Sequence, residues 1–64
     1  MSAFRITFSK LLLGLPFEIA AIDVRNARDP ERALKAAELK FERWSGIEDW
    51  RLRADVVNVD PRKV

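Results

Sequence analysis

The chain has no cysteine, no histidine and no tyrosine, and only two glycines, Gly14 and Gly46. Each absence removes a class of chemistry. Without cysteine there is no disulfide to staple a short chain, and without cysteine or histidine the usual zinc ligand sets cannot be assembled. Without histidine the side chain best suited to proton transfer near neutral pH is missing, and no thiol nucleophile replaces it. Serine occurs only at positions 2, 9 and 45, none of them in a nucleophile-elbow sequence. Two isolated glycines build neither a phosphate-cradling loop nor a dinucleotide fingerprint. The sequence therefore points away from an enzyme and implies no cofactor and no metal.

A chain of 64 residues is expected to form one domain over residues 1–64, with a core that is only marginally sufficient. Its stability must come from packing two tryptophans and four phenylalanines, or from association with another chain. The balance of charge is close to even, with a net charge of +2. No segment approaches the roughly 20 apolar residues needed to cross a bilayer. Arg5 and Lys10 ahead of the apolar run Leu11–Phe17, with Ile19-Ala20-Ala21 beyond it, have the outline of a signal peptide. Glu18 interrupts that outline, Phe4, Ile6 and Phe8 alternate like a strand, and cleavage after Ala21 would leave too little chain to fold. The expected location is cytoplasmic, which the lack of cysteine fits.

What is present organises around Asp29–Gly46. Asp29 offers an acceptor for the unpaired N–H groups of a first helical turn, and Pro30 has the fixed φ that suits the first helical position. Good helix formers follow, Glu31 and Lys35 form an i,i+4 pair, and Gly46 permits a left-handed stop with Ile47 folding back toward Phe41. A helix over residues 30–45 follows. Its apolar stripe is Leu34, Ala37, Phe41 and Trp44, flanked by Pro30 and Ala33. Leu39 falls on the far side, among Arg32, Ala36 and Arg43.

The period changes on either side. Phe4, Ile6 and Phe8 alternate with Arg5, Thr7 and Ser9, predicting a strand over 3–10 with one buried and one wet face. Gly14-Leu15-Pro16 supplies a turn of some length. A second strand over 17–25 changes phase at Ala20-Ala21, the mark of a bulge. Trp50, Leu52, Ala54 and Val56 alternate with Arg51, Arg53 and Asp55, which predicts a third strand over 50–59. The expected fold class is α+β, a two-layer ββαβ domain. Its three-stranded antiparallel sheet has order 2-1-3, and one helix covers the Phe4, Ile6, Phe8, Trp50 and Leu52 face.

Three functional expectations follow. Leu11, Leu12, Leu13, Leu15, Leu39, Val57 and Val59 are more hydrophobic surface than a monomer needs, so protein contact is the leading one, through a weak homodimer or an unknown partner. Arg5, Arg51 and Arg53 share the open sheet face in the 2-1-3 arrangement and could meet the phosphates of a nucleic acid. That patch lacks aromatic rings for base stacking, and solvated strand arginines are its plain alternative. Paired carboxylates, Glu48-Asp49 or Asp55 with Asp60, would need a cleft to become catalytic.

The segments FRITFSK at the start, ARDPERA into the helix and FERWSGIEDWRLRAD at its exit resemble short bacterial proteins of strand-strand-helix-strand layout with a DWRL-type segment. The resemblance spans most of the chain, and only its last segment is specific. It implies an intracellular α+β protein and carries no activity, cofactor or site residue.

Overall fold

Within residues 2–62, the span that the computed structural model describes, the elements run β1 (Ser2–Leu12), β2 (Leu15–Ala27), α1 (Pro30–Ser45), a single 3-10 turn (Trp50–Leu52) and β3 (Val56–Arg62). The strands form one antiparallel sheet in the order β2-β1-β3. The helix lies on one face, packed chiefly against β2. This is the expected two-layer ββαβ architecture. Among the described residues, no helix is long and apolar enough to cross a membrane.

The helix starts and stops where its local chemistry dictates. Asp29 is extended, and its carboxylate accepts the Arg32 N–H at 2.8 Å. At the other end Gly46 takes φ 68°, and the Ile47 N–H reaches back to the Glu42 carbonyl at 3.0 Å, closing the last turn. Ile47 then packs against the cluster that holds Phe41. Ala33, Ala37 and Phe41 form the buried stripe. Two alanines one turn apart let the helix approach the sheet closely. Phe41 lies flat on Phe8 of the central strand, with centroids 4.4 Å apart and planes at 10°. Phe4, Ile6, Phe8 and Ile22 complete the sheet side of the core, and Ala54 closes its end.

Four expectations are corrected. Residues 50–55 are not strand: the Asp49 carboxylate accepts the Arg51 N–H at 3.0 Å and caps a 3-10 turn, in which Arg53 N–H bonds the Trp50 carbonyl. Trp50 and Ala54, one helical turn apart, face inward, Trp50 edge-on to Phe8 at 5.7 Å, whereas Leu52 is 67% exposed. The strand period and the helical period coincide at Trp50 and Ala54 and part at Leu52. β3 consequently starts at Val56, and Val57 and Val59, opposite Phe8 and Ile6 on β1, pack against the core instead of facing solvent.

Trp44 is the third correction, at 75% exposed against 4% for Phe41. It is in phase with the buried stripe, but at the last turn of α1 it stands beside Ala21, Ile22 and Asp23 of the edge strand β2, and Trp50 holds the place beside Phe8. The fourth concerns the hairpin. The turn is only Leu13-Gly14, closed by the Leu12–Leu15 pair, with φ positive at both positions (53° and 79°). Positive φ at both central residues marks the type I′ turn that suits right-handed strand twist. Leucine bears a Cβ penalty there that glycine does not. The bulge expected at Ala20-Ala21 falls one residue earlier, since Phe8 pairs Ala20 and Ser9 pairs Glu18, leaving Ile19 unmatched. A second irregularity lies opposite Ala3, where Asn26 takes φ 63°.

Three predictions test this packing. Phe41→Ala should lose about 3–5 kcal/mol, comparable to all that a core of this size supplies, so far-UV circular dichroism at 25 °C should show an unfolded chain. Trp44→Ala should stay within about 0.5 kcal/mol of wild type in urea denaturation. Leu13→Asn, which tolerates positive φ, should raise stability by about 1 kcal/mol.

Candidate interaction surfaces

Beyond Ser9 the hairpin leaves the body of the domain. Every residue from Lys10 to Ile19 is exposed. β3 pairs with β1 only as far as Ser9↔Val56, so the last residues of β1 have β2 on one side and no strand on the other. Asp55 closes the start of that open edge. Its N–H donates to the Ser9 carbonyl at 2.8 Å, its carboxylate accepts the Leu11 N–H at 2.8 Å, and Lys10 Nζ lies 3.9 Å from the same carboxylate. A charged side chain on an otherwise free strand edge discourages further pairing at that point.

The arm is apolar on both faces. Leu12 pairs with Leu15 and Leu11 with Pro16, so alternate faces of one ribbon each carry leucine, and Leu13 at the tip is 103% exposed. Phe17, opposite Lys10, and Ile19, in the bulge, extend the apolar surface toward the body. Leu11, Leu12, Leu13 and Leu15 therefore lie together as a continuous exposed group. Leu39 is exposed as expected but sits alone on the helix, and Val57 and Val59 are half-buried against the core. Phe17 and Ile19 carry no separate sequence signal, because strand alternation predicts one face buried and the arm has no covering layer.

The second surface lies between α1 and the outer edge of β2. A groove of about 560 Å³ is lined by Ala21, Ile22 and Asp23 from β2 and by Lys40, Arg43 and Trp44 from α1. A smaller one of about 330 Å³ is lined by Val24–Ala27 of β2, by Arg28 just after it, and by Arg32 and Ala36 of α1. The helical residues Arg32, Ala36, Lys40 and Arg43 recur at intervals of four and three and so form one flank. That spacing was legible in the sequence. Which element it would face was not.

The structure disperses the arginine trio expected on the open sheet face. Arg5 remains there, but its Nε lies 3.0 Å from Asp23 of β2, and Asp60 of β3 stands opposite it on the other side. Arg51 belongs to the 3-10 turn and binds Asp49 at 2.8 Å, and Arg53 caps that turn. The carboxylate pairs are likewise structural: Asp49 is a cap, Asp55 an edge clamp, and Asp60 a cross-strand neighbour of Arg5.

Hydrogen bonding from Arg5 holds the Asp23 carboxyl below the usual carboxylate range, and hydrogen bonding from Arg51 does the same for Asp49. A depressed folded pKa means that the unfolded chain takes up a proton first on acidification. The stability is thus fully present above the ordinary aspartate value near 4 and is lost as pH falls through the folded one. Asp23→Asn and Asp49→Asn should each lower the thermal midpoint slightly at pH 7 and flatten its decline as pH falls below about 4. Both pairs are solvated, so added salt should shrink the difference.

No family model, curated protein or solved structure matches the chain.

Proposed function

We propose that this protein is a non-enzymatic, cytoplasmic interaction module that associates weakly with a second copy of itself through the β1–β2 arm. One observation carries the reading: Leu11, Leu12, Leu13, Leu15, Phe17 and Ile19 are all exposed on a single projecting ribbon. Scattered apolar side chains are ordinary on a protein surface, but a contiguous set is the usual signature of a contact site. A ribbon with leucines on both faces is suited to a two-fold contact in which each arm packs on the other, since a self-complementary patch closes after two copies. The arm is a small part of a 4953 Å² surface. Stable interfaces bury roughly 800 Å² per partner, so the association is weak and concentration-dependent.

The missing histidine, cysteine and tyrosine, together with the structural employment of Asp49 and Asp55, favour binding over catalysis. Sedimentation equilibrium is the direct test. Wild type should pass from monomer to dimer between about 10 μM and 1 mM, the range of weak specific contacts. The Leu12→Lys/Leu15→Lys double variant should remain monomeric with unchanged circular dichroism, because neither side chain belongs to the core. A wild-type chain that stays strictly monomeric at 1 mM overturns the self-association.

A further inference from the structure

We propose that the groove between α1 and the edge of β2 takes an acidic segment of a partner protein in extended form, adding it to the sheet as a fourth strand beside β2. The site is separate from the hairpin arm and does not depend on the arm's self-association. Three observations converge on it. β2 is an edge strand, and between its two irregularities Ala20–Val24 pair with β1 in uninterrupted register. A regular edge run of that length offers main-chain donors and acceptors to a visiting strand. The helix beside it forms the wall of the groove, with Trp44, 75% exposed, facing Ala21, Ile22 and the carboxylate-bearing Asp23 of β2. A large ring held at the mouth of a groove gives a bound chain apolar area with little loss of side-chain entropy.

The third observation is charge, and it selects the occupant. Lys40 and Arg43 line this groove, and Arg25, Arg28 and Arg32 line the smaller one between the same two elements. The acids nearby are already engaged: Asp23 holds Arg5, and Asp29 caps α1 and contacts Arg32 at 3.5 Å. Arg25, Arg28, Lys40 and Arg43 have no ion-pair partner among the described residues. The helix itself is sorted by charge. Glu38 and Glu42 face Arg51 and the 3-10 turn on the far flank, leaving Lys40 and Arg43 toward β2. A groove with main-chain pairing capacity, an aromatic wall and uncompensated cations is complementary to an extended peptide rich in Asp and Glu. The same cations disfavour a second copy here, since β2 paired with its own twin would set Arg25, Arg28, Lys40 and Arg43 against their like. Single-stranded nucleic acid shares the anionic character but gains nothing from the strand edge, and one tryptophan is a short stacking platform.

Amide-resolved NMR titration of the full chain tests the proposal. The probe is a capped nonapeptide alternating Glu and Val; the comparison ligands are its Lys-for-Glu counterpart, its alternately N-methylated form and a nine-nucleotide oligo-dT. The expected result is perturbation by the acidic peptide of the amides of residues 20–27 and of the Trp44 indole N–H. Affinity should fall at least about tenfold in the Lys40→Glu/Arg43→Glu variant, whose changes lie on exposed positions, and also with rising salt. The N-methylated and lysine peptides should leave those resonances in place. The Leu12→Lys/Leu15→Lys variant should bind like wild type, which separates this site from the arm. The proposal is overturned if the β2 amides stay unmoved at millimolar acidic peptide, if charge reversal or N-methylation leaves the affinity unchanged, or if oligo-dT shifts the same resonances at lower concentration.

Discussion

The contact on which the structure depends is the flat stacking of Phe41 on Phe8. Phe8 is on the central strand, between Ala20 of β2 and Val57 of β3, and so belongs to both halves of the sheet. Phe41 is one turn beyond Ala37 and two beyond Ala33, on the only stripe of α1 that is buried. Their stacking fixes the height of the helix above the sheet, and the alanines permit it. Trp50 then meets Phe8 edge-on and is tied to the helix by its N–H, which donates to the Glu42 carboxylate at 2.9 Å. One ring thus collects the helix, the turn that follows it and all three strands. A core this small has no second centre to fall back on.

What could be read from the sequence was what is decided locally. Asp29, Pro30 and Gly46 set the ends of α1 because caps act within a turn of the residues that make them. The alternation of Phe4, Ile6 and Phe8 placed β1, and the reversal of chain direction through hairpin and helix was enough to order the sheet. The failures share a cause. Trp50, Leu52 and Ala54 satisfy a strand pattern, yet the capping carboxylate of Asp49 wins locally and winds the segment into a turn. Trp44 satisfies the helical stripe, yet the last turn of α1 stands at the edge of β2. Val57 and Val59 were out of phase only with a strand that begins too early. In each instance a periodic pattern was correct about periodicity and silent about what lay opposite.

The hairpin shows the same limit in a more useful form. Leu11, Leu12, Leu13 and Leu15 cannot all point inward in any strand, and the sequence already says so. It does not say that the two strands run on to a two-residue turn, which lifts both faces clear of the helix. Leu13 in a left-handed conformation is the local cost of that tight turn. A polar residue would serve the turn better and would cost the fold nothing, because Leu13 touches no core. The leucine is thus unexplained by folding, and it is the exposure of this residue that the proposed arm contact would use.

The same reasoning applies to the helix, where charge and not hydrophobicity is the telling feature. A solvated helix gains most by interspersing its charges, so that opposite signs meet at i,i+4 spacing. Here Glu31 and Lys35 follow that rule, but farther along the helix Glu38 and Glu42 lie on one flank while Lys40 and Arg43 lie on the other, beside an exposed tryptophan. The acidic flank is used internally: Glu42 accepts the Trp50 N–H, and both acids favour the Arg51 cation. Among the described residues, Lys40 and Arg43 on the basic flank have no ion-pair partner. Self-repulsion between Lys40 and Arg43 is screened in salt and small in energy, so it does not endanger the fold, whereas in a β2 edge paired with its own twin the cations of both copies would face one another. An edge protected against its own kind by positive charge remains open to a strand of the opposite sign. Protection and selectivity are then consequences of one arrangement of side chains, set by which flank of a single helix overhangs the sheet.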